Sequence, residues 1–179
     1  MRRRLMSLTF LIVAPLIVTS LACAQNTTQV TVAVGAEASI TITTGTTTLS
    51  LSGGPFSSFT GSTAFSYKIR TSESGGSGSL TVVFGSDLTS GGNTISVGNL
   101  TYTCTDVAPA SGTTLPATCG SSSTTASKSA ATGVAGFGTA GHSADAGTSG
   151  NSVNWTLVNN PSYKTGSYSA TATFTISAS

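Results

Sequence analysis

The sequence predicts an all-β protein: a single antiparallel β-sandwich, immunoglobulin-like or jelly-roll-like, with about eight to ten strands. Apolar and polar residues alternate through most of the chain, and no stretch of helical length keeps a 3.6-residue period. The 179 residues include 30 Ser and 33 Thr, but only 7 Lys or Arg and 5 Asp or Glu. Helices cover their solvent faces with Ala, Glu, Lys and Arg, whereas Thr, Val and Ile suit half-buried strands. The composition therefore excludes a coiled coil and favours strands.

The N-terminus has the three parts of an export signal. Residues 2–4 are arginines, residues 8–18 form an apolar run, and Ala22-Cys23-Ala24 matches the small-residue pattern that a signal peptidase cleaves. We expect residues 1–24 to be a signal peptide and the mature chain to begin at Gln25. An uncleaved anchor is the alternative, but the apolar run is short for a membrane span of about 20 residues. The protein is thus predicted to be secreted or displayed at the cell surface.

The charge that remains after cleavage argues against nucleic acid as a partner. Four basic and five acidic residues remain, a net charge of −1. The basic residues are Lys68, Arg70, Lys128 and Lys164, and they form no run along the chain. Proteins that bind DNA or RNA neutralise phosphates with clustered Lys and Arg. We expect no nucleic-acid partner.

The first half of the mature chain contains five segments with an apolar residue at every second position. In order, these are Val30/Val32/Val34, Ile40/Ile42, Leu49/Leu51, Phe65/Tyr67/Ile69 and Leu80/Val82/Phe84. Turn residues separate them, as at Gly53-Gly54-Pro55 and Gly75-Gly76. Each segment is predicted to be a strand with one face on the core and one face in water.

The second half repeats this pattern, except between residues 120 and 150. Its alternating segments are Ile95/Val97, Leu100/Tyr102/Cys104, Val153/Trp155/Leu157 and Tyr168/Ala170/Ala172/Phe174/Ile176. Residues 120–150 are mostly Ser, Thr, Ala and Gly, with Val134 and Phe137 as the sizeable apolar residues. Such a segment can hold one or two weak strands or form a long mobile loop, and we favour a partly ordered excursion from a single domain that spans residues 25–179.

Two cysteines, Cys104 and Cys119, remain after cleavage of the signal. An isolated pair in an exported protein indicates a disulfide. The bond would close a loop of about 15 residues and stabilise the fold by about 3 kcal/mol on the chain-entropy model. A metal site would need additional Cys or His residues nearby, so neither a metal nor another cofactor is predicted.

The acidic residues and the single histidine do not form a convincing active site. His142 and Asp145 lie in a glycine-rich segment without the G-x-S-x-G elbow of a serine hydrolase. Glu73 and Asp87 flank a predicted hairpin, and a glycosidase would need two such carboxyl groups across one cleft. Both of these residue pairs are better explained as isolated residues in loops. The sequence therefore predicts a protein that is not an enzyme.

The aromatic residues leave open a role in carbohydrate binding. Trp155 alternates in phase with Val153 and Leu157, which predicts a core position. Tyr163 follows Asn160-Pro161 in a predicted loop, so it is the candidate for a glycan contact. The alternative is a tyrosine whose ring covers one end of the domain.

The C-terminal strand resembles the closing strand of bacterial fimbrial and spore-coat-U-like subunits. The resemblance lies in Gly166 followed by the alternating Tyr168, Ala170, Ala172, Phe174 and Ile176, and it covers about a dozen residues. It implies an immunoglobulin-like sandwich that polymerises by donating an N-terminal strand to a neighbouring subunit. The segment that would correspond to the donor here is Val30 to Val34. The chain departs from the family pattern in having Ala178 as its penultimate residue and its cysteines in mid-chain.

We therefore expect an exported, non-enzymatic structural or surface protein. It would assemble with itself, or with an envelope or matrix component, through edge-strand or donor-strand pairing, because Thr- and Val-rich strands lack the Lys and Pro that block such pairing. The alternative is a secreted carbohydrate-binding or adhesive module. A hydrolase with a minimal acidic pair is a third reading.

Overall fold

A computed structural model of the chain describes residues 28–105 and 122–179. They are all-β, with antiparallel sheets, and no α-helix occurs within these two ranges. Val34–Ser179 forms one compact unit, and residues 28–33 belong to a separate unit and lie outside any strand. The predicted signal peptide lies outside the described residues. A search of the described part for a helix long and apolar enough to cross a membrane found none.

The described residues contain eleven strands. In chain order they are β1 Glu37–Ile42, β2 Ser50–Leu51, β3 Phe59–Arg70, β4 Gly78–Phe84, β5 Leu88–Ser90, β6 Asn93–Ile95, β7 Leu100–Thr105, β8 Thr124–Thr125, β9 Thr132–Phe137, β10 Thr148–Leu157 and β11 Ala172–Ala178. Four of these strands are only two or three residues long, which is why the count exceeds the predicted eight to ten. A single turn of 3₁₀-helix, Val97–Asn99, precedes β7.

The strands form two main sheets and a small hairpin. The first sheet has the order β1-β3-β10-β7-β8, and β2 also pairs with β3. The second sheet has the order β11-β4-β9, and one of the sheets is strongly curled. The hairpin of β5 and β6 turns at Gly91 and Gly92, whose φ angles are +52° and +85°. Two consecutive positive φ angles are the geometry of a type I′ turn, which glycine adopts without strain.

The core consists of the apolar positions that alternate along the strands of both main sheets. Leu80 and Val82 of β4 and Val153 of β10 are fully buried, and each such side chain contributes about 1.5–3 kcal/mol. Aromatic rings join the two sheets: Phe84 lies 5.5 Å from Trp155, and Tyr67 lies 5.3 Å from Phe137, between ring centroids. The predicted core position of Trp155 is confirmed.

The strand register defines two ends of the unit. We call the end where β1 begins and β3 ends the lower end, because Glu37 pairs with Arg70 there. The upper end is where β3 begins and β10 ends, at the paired residues Phe59 and Leu157. β11 runs from the upper end to the lower end, since its last residue pairs with Gly78, which lies against Ile69 near the end of β3.

In residues 122–150 the structure has strands, one of the alternatives that the sequence left open. This region contains β8 and β9, and β9 is an integral edge strand of the second sheet, with Val134 and Phe137 buried in the core. Because Thr132, Gly133, Ala135 and Gly136 occupy the remaining β9 positions, the strand carries little of the apolar alternation that marks the others. Small residues are the reason why the sequence pattern did not locate this strand.

The closing strand is also displaced from its predicted position. β11 begins at Ala172, two positions beyond Ala170, and continues to Ala178. Tyr168 and Ala170 precede it and pack against the core, while Ser169 between them bridges to Thr89. The alternation therefore identified the inward-facing residues correctly, although it extended the strand too far towards the N-terminus.

Candidate functional site

The most distinctive feature of the unit is a seam between two edge strands, β1 of the first sheet and β11 of the second. Cα atoms of the two strands approach within 8 Å of one another. No ladder of hydrogen bonds joins them, because β1 pairs with β3 and β11 pairs with β4. We call this line of contact without a hydrogen-bond ladder the β1–β11 seam.

The outer edge of β11 presents a row of backbone groups to the seam. In an antiparallel ladder, alternate residues direct their N–H and C=O towards the partner strand, and the residues between direct theirs away. Gly85 N donates to Thr171 O and Ser179 N donates to Ser77 O, so the odd-numbered residues face β4. The even-numbered residues therefore face the seam: Ala172, Phe174, Ile176 and Ala178.

The outer edge of β1 mirrors this arrangement. Thr43 N donates to Ala64 O, which places the odd-numbered residues of this strand in the ladder with β3. Ala38, Ile40 and Ile42 consequently direct their N–H and C=O towards the seam. Within the described ranges, no hydrogen bond engages these backbone groups of either strand. The seam is therefore bordered on both sides by unpaired strand edges.

The side chains of the same residues are only half-buried. Ile40 and Ile42 of β1, and Phe174 and Ile176 of β11, pack against the core yet keep part of their surface exposed. On the neighbouring strand β4, Leu80 and Val82 are completely covered. The seam is thus the place where the apolar interior is incompletely covered.

The other junction between the two main sheets is closed by side chains. The Tyr102 hydroxyl of β7 donates to the carbonyl oxygen of Gly133 in β9 (2.7 Å) and lies 2.9 Å from Oγ1 of Thr132. Burial raises the pKa of Tyr102 above its ordinary value of 10.0, and its hydrogen bond with Thr132 opposes this shift. The two junctions therefore differ: one is hydrogen-bonded, and among the described residues the other is not.

The predicted assembly strand is exposed. Val30, Val32 and Val34 are 89%, 80% and 64% exposed, and residues 28–36 belong to no strand of the structure. All residues from 28 to 36 are exposed, so the three valines hold apolar side chains in water without belonging to a strand.

An arginine fixes the chain where this segment joins β1. Arg70 donates from Nε to the carbonyl oxygen of Gly35 (3.0 Å) and from Nη2 to the carboxylate of Glu37 (2.7 Å). Arg70 stands opposite Glu37 in the β1–β3 register. Its two bonds hold the chain alongside β3 for two residues before β1 begins.

Tyr163, the predicted glycan contact, is held by packing against the core and by one hydrogen bond. The ring of Tyr163 is half-buried against the core, and its hydroxyl accepts a hydrogen bond from Nδ2 of Asn99 (3.1 Å). Both residues lie near the upper end, since Asn99 directly precedes β7. This geometry matches a tyrosine that covers one end of the domain, and glycan contact by Tyr163 stays a prediction.

The acidic candidates do not come together as a catalytic pair. The Asp87 carboxylate accepts hydrogen bonds from Lys128 Nζ and from the backbone N–H of Val97. These bonds, first that from Lys128 and then that from Val97, hold the pKa of Asp87 below its ordinary value of 3.8. Asp87 ties a loop near the upper end to the β8–β9 connection, whereas Glu73 lies in the turn after β3 at the lower end.

The histidine also has a local role. His142 is exposed, its Nδ1 lies 3.0 Å from the carbonyl oxygen of Ala140, and its backbone bridges to Arg70. Asp145 makes no hydrogen bond with it among those of the described residues. In the described part of the chain, no three His, Cys, Asp or Glu residues gather as a metal site.

Only one cysteine of the predicted disulfide lies among the described residues. Cys104 lies in β7, partly buried, opposite Val153 of β10. Cys119 lies outside the described residues. The bond between Cys104 and Cys119 therefore stays a prediction.

The β1–β11 seam was not found by sequence analysis, although its parts were. The alternation of Ile40/Ile42 and of Phe174/Ile176 indicated two strands, but strand order cannot be deduced from alternation. Only the register shows that these two strands end up as facing edges.

Comparison with known proteins adds no relative: no family model, curated protein or solved structure matches the chain.

Proposed function

We propose that this protein is an exported, non-enzymatic structural subunit of the cell surface or extracellular matrix. Its two main sheets form a β-sandwich, and copies assemble when the N-terminal segment of one copy enters the β1–β11 seam of another. In this reading residues 1–24 direct export and are removed, which leaves residues 25–35 at the start of the mature chain as the donor segment.

The observation that supports assembly most strongly is the complementarity between the seam and the donor segment. The seam presents unpaired backbone groups on both sides and a half-buried apolar floor. The described part of the donor segment lies outside any strand and offers apolar residues at every second position, Val30, Val32 and Val34. A strand in the seam would pair with both edges while its valines completed the core.

The dimensions of the seam add one requirement. Neighbouring strands lie about 4.8 Å apart, so two strands that flank a third are separated by about 9.6 Å. The Cα atoms of β1 and β11 approach within 8 Å. Entry of a donor therefore requires the two edges to part, which makes insertion slower than simple docking.

The connection to β1 supports donation to another copy. An intramolecular strand beside β1 would require the chain to reverse within Gly35 and Ala36. Gly35 is instead held alongside β3 by Arg70. This bond opposes the reversal that pairing with the seam of the same subunit would need.

Deletion of residues 25–35 tests this function. The chain that begins at Gln25 is expected to form filaments or defined oligomers by light scattering and negative-stain microscopy. The deleted chain should remain folded and monomeric, and a peptide of residues 25–36 should bind to it. Unchanged assembly after the deletion would contradict the proposal, as would a parent chain that is a clean monomer.

A pair of substitutions supplies the matched control. Val32→Asp would place a charge against the apolar floor of the seam and should prevent assembly, because an unpaired charge is costly to bury. Ala33→Asp changes the neighbouring residue, whose side chain would point to solvent in the same strand. It should leave assembly within about twofold of the parent chain. Equal effects of the two substitutions would show that the alternation does not matter.

A further inference from the structure

The upper end of the unit carries three large apolar side chains that the fold does not cover. Leu51, Phe56 and Val158 are 47%, 65% and 62% exposed. Leu51 ends β2 and pairs with Phe59, Phe56 lies in the turn between β2 and β3, and Val158 directly follows β10. We call these three residues the upper apolar cluster.

Phe56 is held in an unusual backbone conformation. Its φ angle is +63°, in the left-handed region that residues other than glycine seldom adopt. The turn that contains it is closed by hydrogen bonds from Ser52 N to Ser58 O (2.9 Å) and from Ser57 N to Gly54 O (3.1 Å). A constrained turn thus keeps an aromatic ring in solvent, which points to an interaction surface.

We propose that this cluster is a second contact between copies, and that it sets the direction in which the donor segment enters the seam. The donor would run antiparallel to β11, and the upper cluster of the receiving copy would pack against the lower end of the donating copy. This inference rests on the proposed function.

The short connection between the donor segment and the rest of its subunit restricts where the donating copy can lie. Val34 is separated from Glu37 by two residues, so the two Cα atoms can be at most about 11 Å apart. Glu37 lies at the lower end of its own unit. Wherever Val34 sits in the receiving copy, the lower end of the donating copy must therefore lie directly beside it.

The two directions of entry predict different assemblies. If the donor is antiparallel to β11, Val34 lies at the upper end of the seam near Ala172, and copies stack upper end to lower end. This contact is heterologous and repeats as a filament. If the donor is parallel to β11, Val34 lies near Ala178, and two lower ends meet. Each copy can then donate to the other, and the result is a closed dimer.

The distribution of apolar surface favours the first direction. Stacking upper end to lower end buries Leu51, Phe56 and Val158, whereas a dimer of lower ends leaves them in water. The turn after β3, residues 72–77, lies at the lower end and contains Gly75 and Gly76, which themselves present no side chain to another copy. Burial of apolar area is the dominant favourable contribution to such contacts.

Cysteine crosslinking between copies tests the direction of entry. We would compare the chain from Gln25 carrying Val34→Cys and Ala172→Cys with one carrying Val34→Cys and Ala178→Cys. The first pair should give a ladder of disulfide-linked multimers under mild oxidation, and the second should give at least tenfold less product. Efficient crosslinking only in the second pair, or closed dimers by light scattering, would overturn the inference while leaving strand donation intact.

Substitution of the upper apolar cluster tests the second contact. Phe56→Ser combined with Val158→Thr should raise the concentration needed for filaments about tenfold, whereas binding of the 25–36 peptide to the donor-deleted chain should not change. Ala64→Ser with Thr103→Ser, on the outer face of the first sheet, is the matched control. Parent-like assembly of the cluster variant would overturn the inference. Loss of peptide binding in every chain would instead show that the proposed function is wrong.

Discussion

The indole nitrogen of Trp155 donates a hydrogen bond to the hydroxyl oxygen of Thr63, 2.8 Å away, in the interior of the protein. Both side chains are buried, and the same threonine oxygen lies 2.6 Å from Oγ1 of Thr47. The ring of Trp155 also packs at 5.2 Å from that of Tyr102 and at 5.5 Å from that of Phe84, between centroids. One threonine hydroxyl therefore allows the largest core side chain to be buried with its polar atom paired.

Thr63→Val should destabilise the protein by about 1–3 kcal/mol, because it leaves the indole N–H buried without an acceptor. Urea denaturation followed by tryptophan fluorescence would measure the change. Thr63→Ser keeps the hydroxyl and should recover most of the loss. Equal destabilisation by both variants would mean that the methyl group matters and the hydrogen bond does not.

The stability of the protein should decline in alkaline solution because of Tyr102. Its pKa is raised above 10.0 in the folded state, since burial disfavours the phenolate. The stabilisation is fully present below the unfolded pKa of about 10 and is lost as the pH rises through the folded pKa. Urea midpoints measured from about pH 8 to 12 should fall less steeply for Tyr102→Phe than for the parent. An unchanged alkaline slope would contradict this role.

Removal of the same hydroxyl should also lower stability at neutral pH. Tyr102→Phe leaves the carbonyl oxygen of Gly133 without its side-chain donor, which should cost about 1 kcal/mol. Tyr168→Phe is the control, because the hydroxyl of Tyr168 donates to Lys164 O at an exposed position. That variant should change the free energy of unfolding by a few tenths of a kcal/mol at most.

Acid should weaken the attachment of the β8–β9 connection through Asp87. Its pKa is lowered in the folded state, so its contribution is present above the unfolded value of 3.8 and is lost as the pH falls through the folded pKa. Asp87→Asn should remove this acid dependence, and Lys128→Met should reduce it, because Lys128 is the first cause of the shift. Urea midpoints between about pH 2 and 6 would measure it. A parent-like acid slope in Asp87→Asn would place the dependence elsewhere.

A glycine pair provides a test of packing between the sheets. A Cβ atom at Gly78 would lie 2.7 Å from the carbonyl oxygen of Ser177 and 2.8 Å from Cδ1 of Ile69, so Gly78→Ala should cost about 1–3 kcal/mol. Gly133→Ala, in the adjacent strand, meets nothing within 4 Å and is the matched control. Thermal denaturation should show a clearly lower Tm for the first variant only. Similar melting of both would contradict the packing described here.

The carbohydrate-binding alternative makes its own prediction at Tyr163. Tyr163→Ala should abolish retention on a glycan array while leaving the domain folded, if the tyrosine contacts sugar. Asn99→Ala removes the hydrogen bond to the Tyr163 hydroxyl and keeps the ring, so it separates sugar stacking from anchoring. A parent chain that no glycan retains would leave strand assembly as the single proposal.

The sequence was most informative where one residue type dictates local geometry. Strict alternation located β3, β4, β7 and β10, because only a strand places every second side chain on one face. Alternation did not locate β9, where glycine and alanine fill half of the positions and burial depends on the neighbouring strands.

The sequence did not predict which strands pair when they are distant along the chain. Period-two alternation specifies which face of a strand is buried, but it does not specify the neighbour of that strand. The seam between Ile40 and Ile176 therefore emerges only from the register. Alternation did identify Val30, Val32 and Val34, but it could not show that β1 and β11 meet as edge strands elsewhere in the fold.

The open β1–β11 seam has a thermodynamic consequence for the isolated subunit. In an isolated copy, Ile40 and Phe174 keep part of their apolar surface in water, and under the proposed strand donation a received donor would cover it. Mass action would then make stability depend on concentration: the midpoint of thermal unfolding should increase with total protein concentration, as for any protein stabilised by a ligand. Each molecule would be both a receptor and a ligand, so dilution alone should lower its stability.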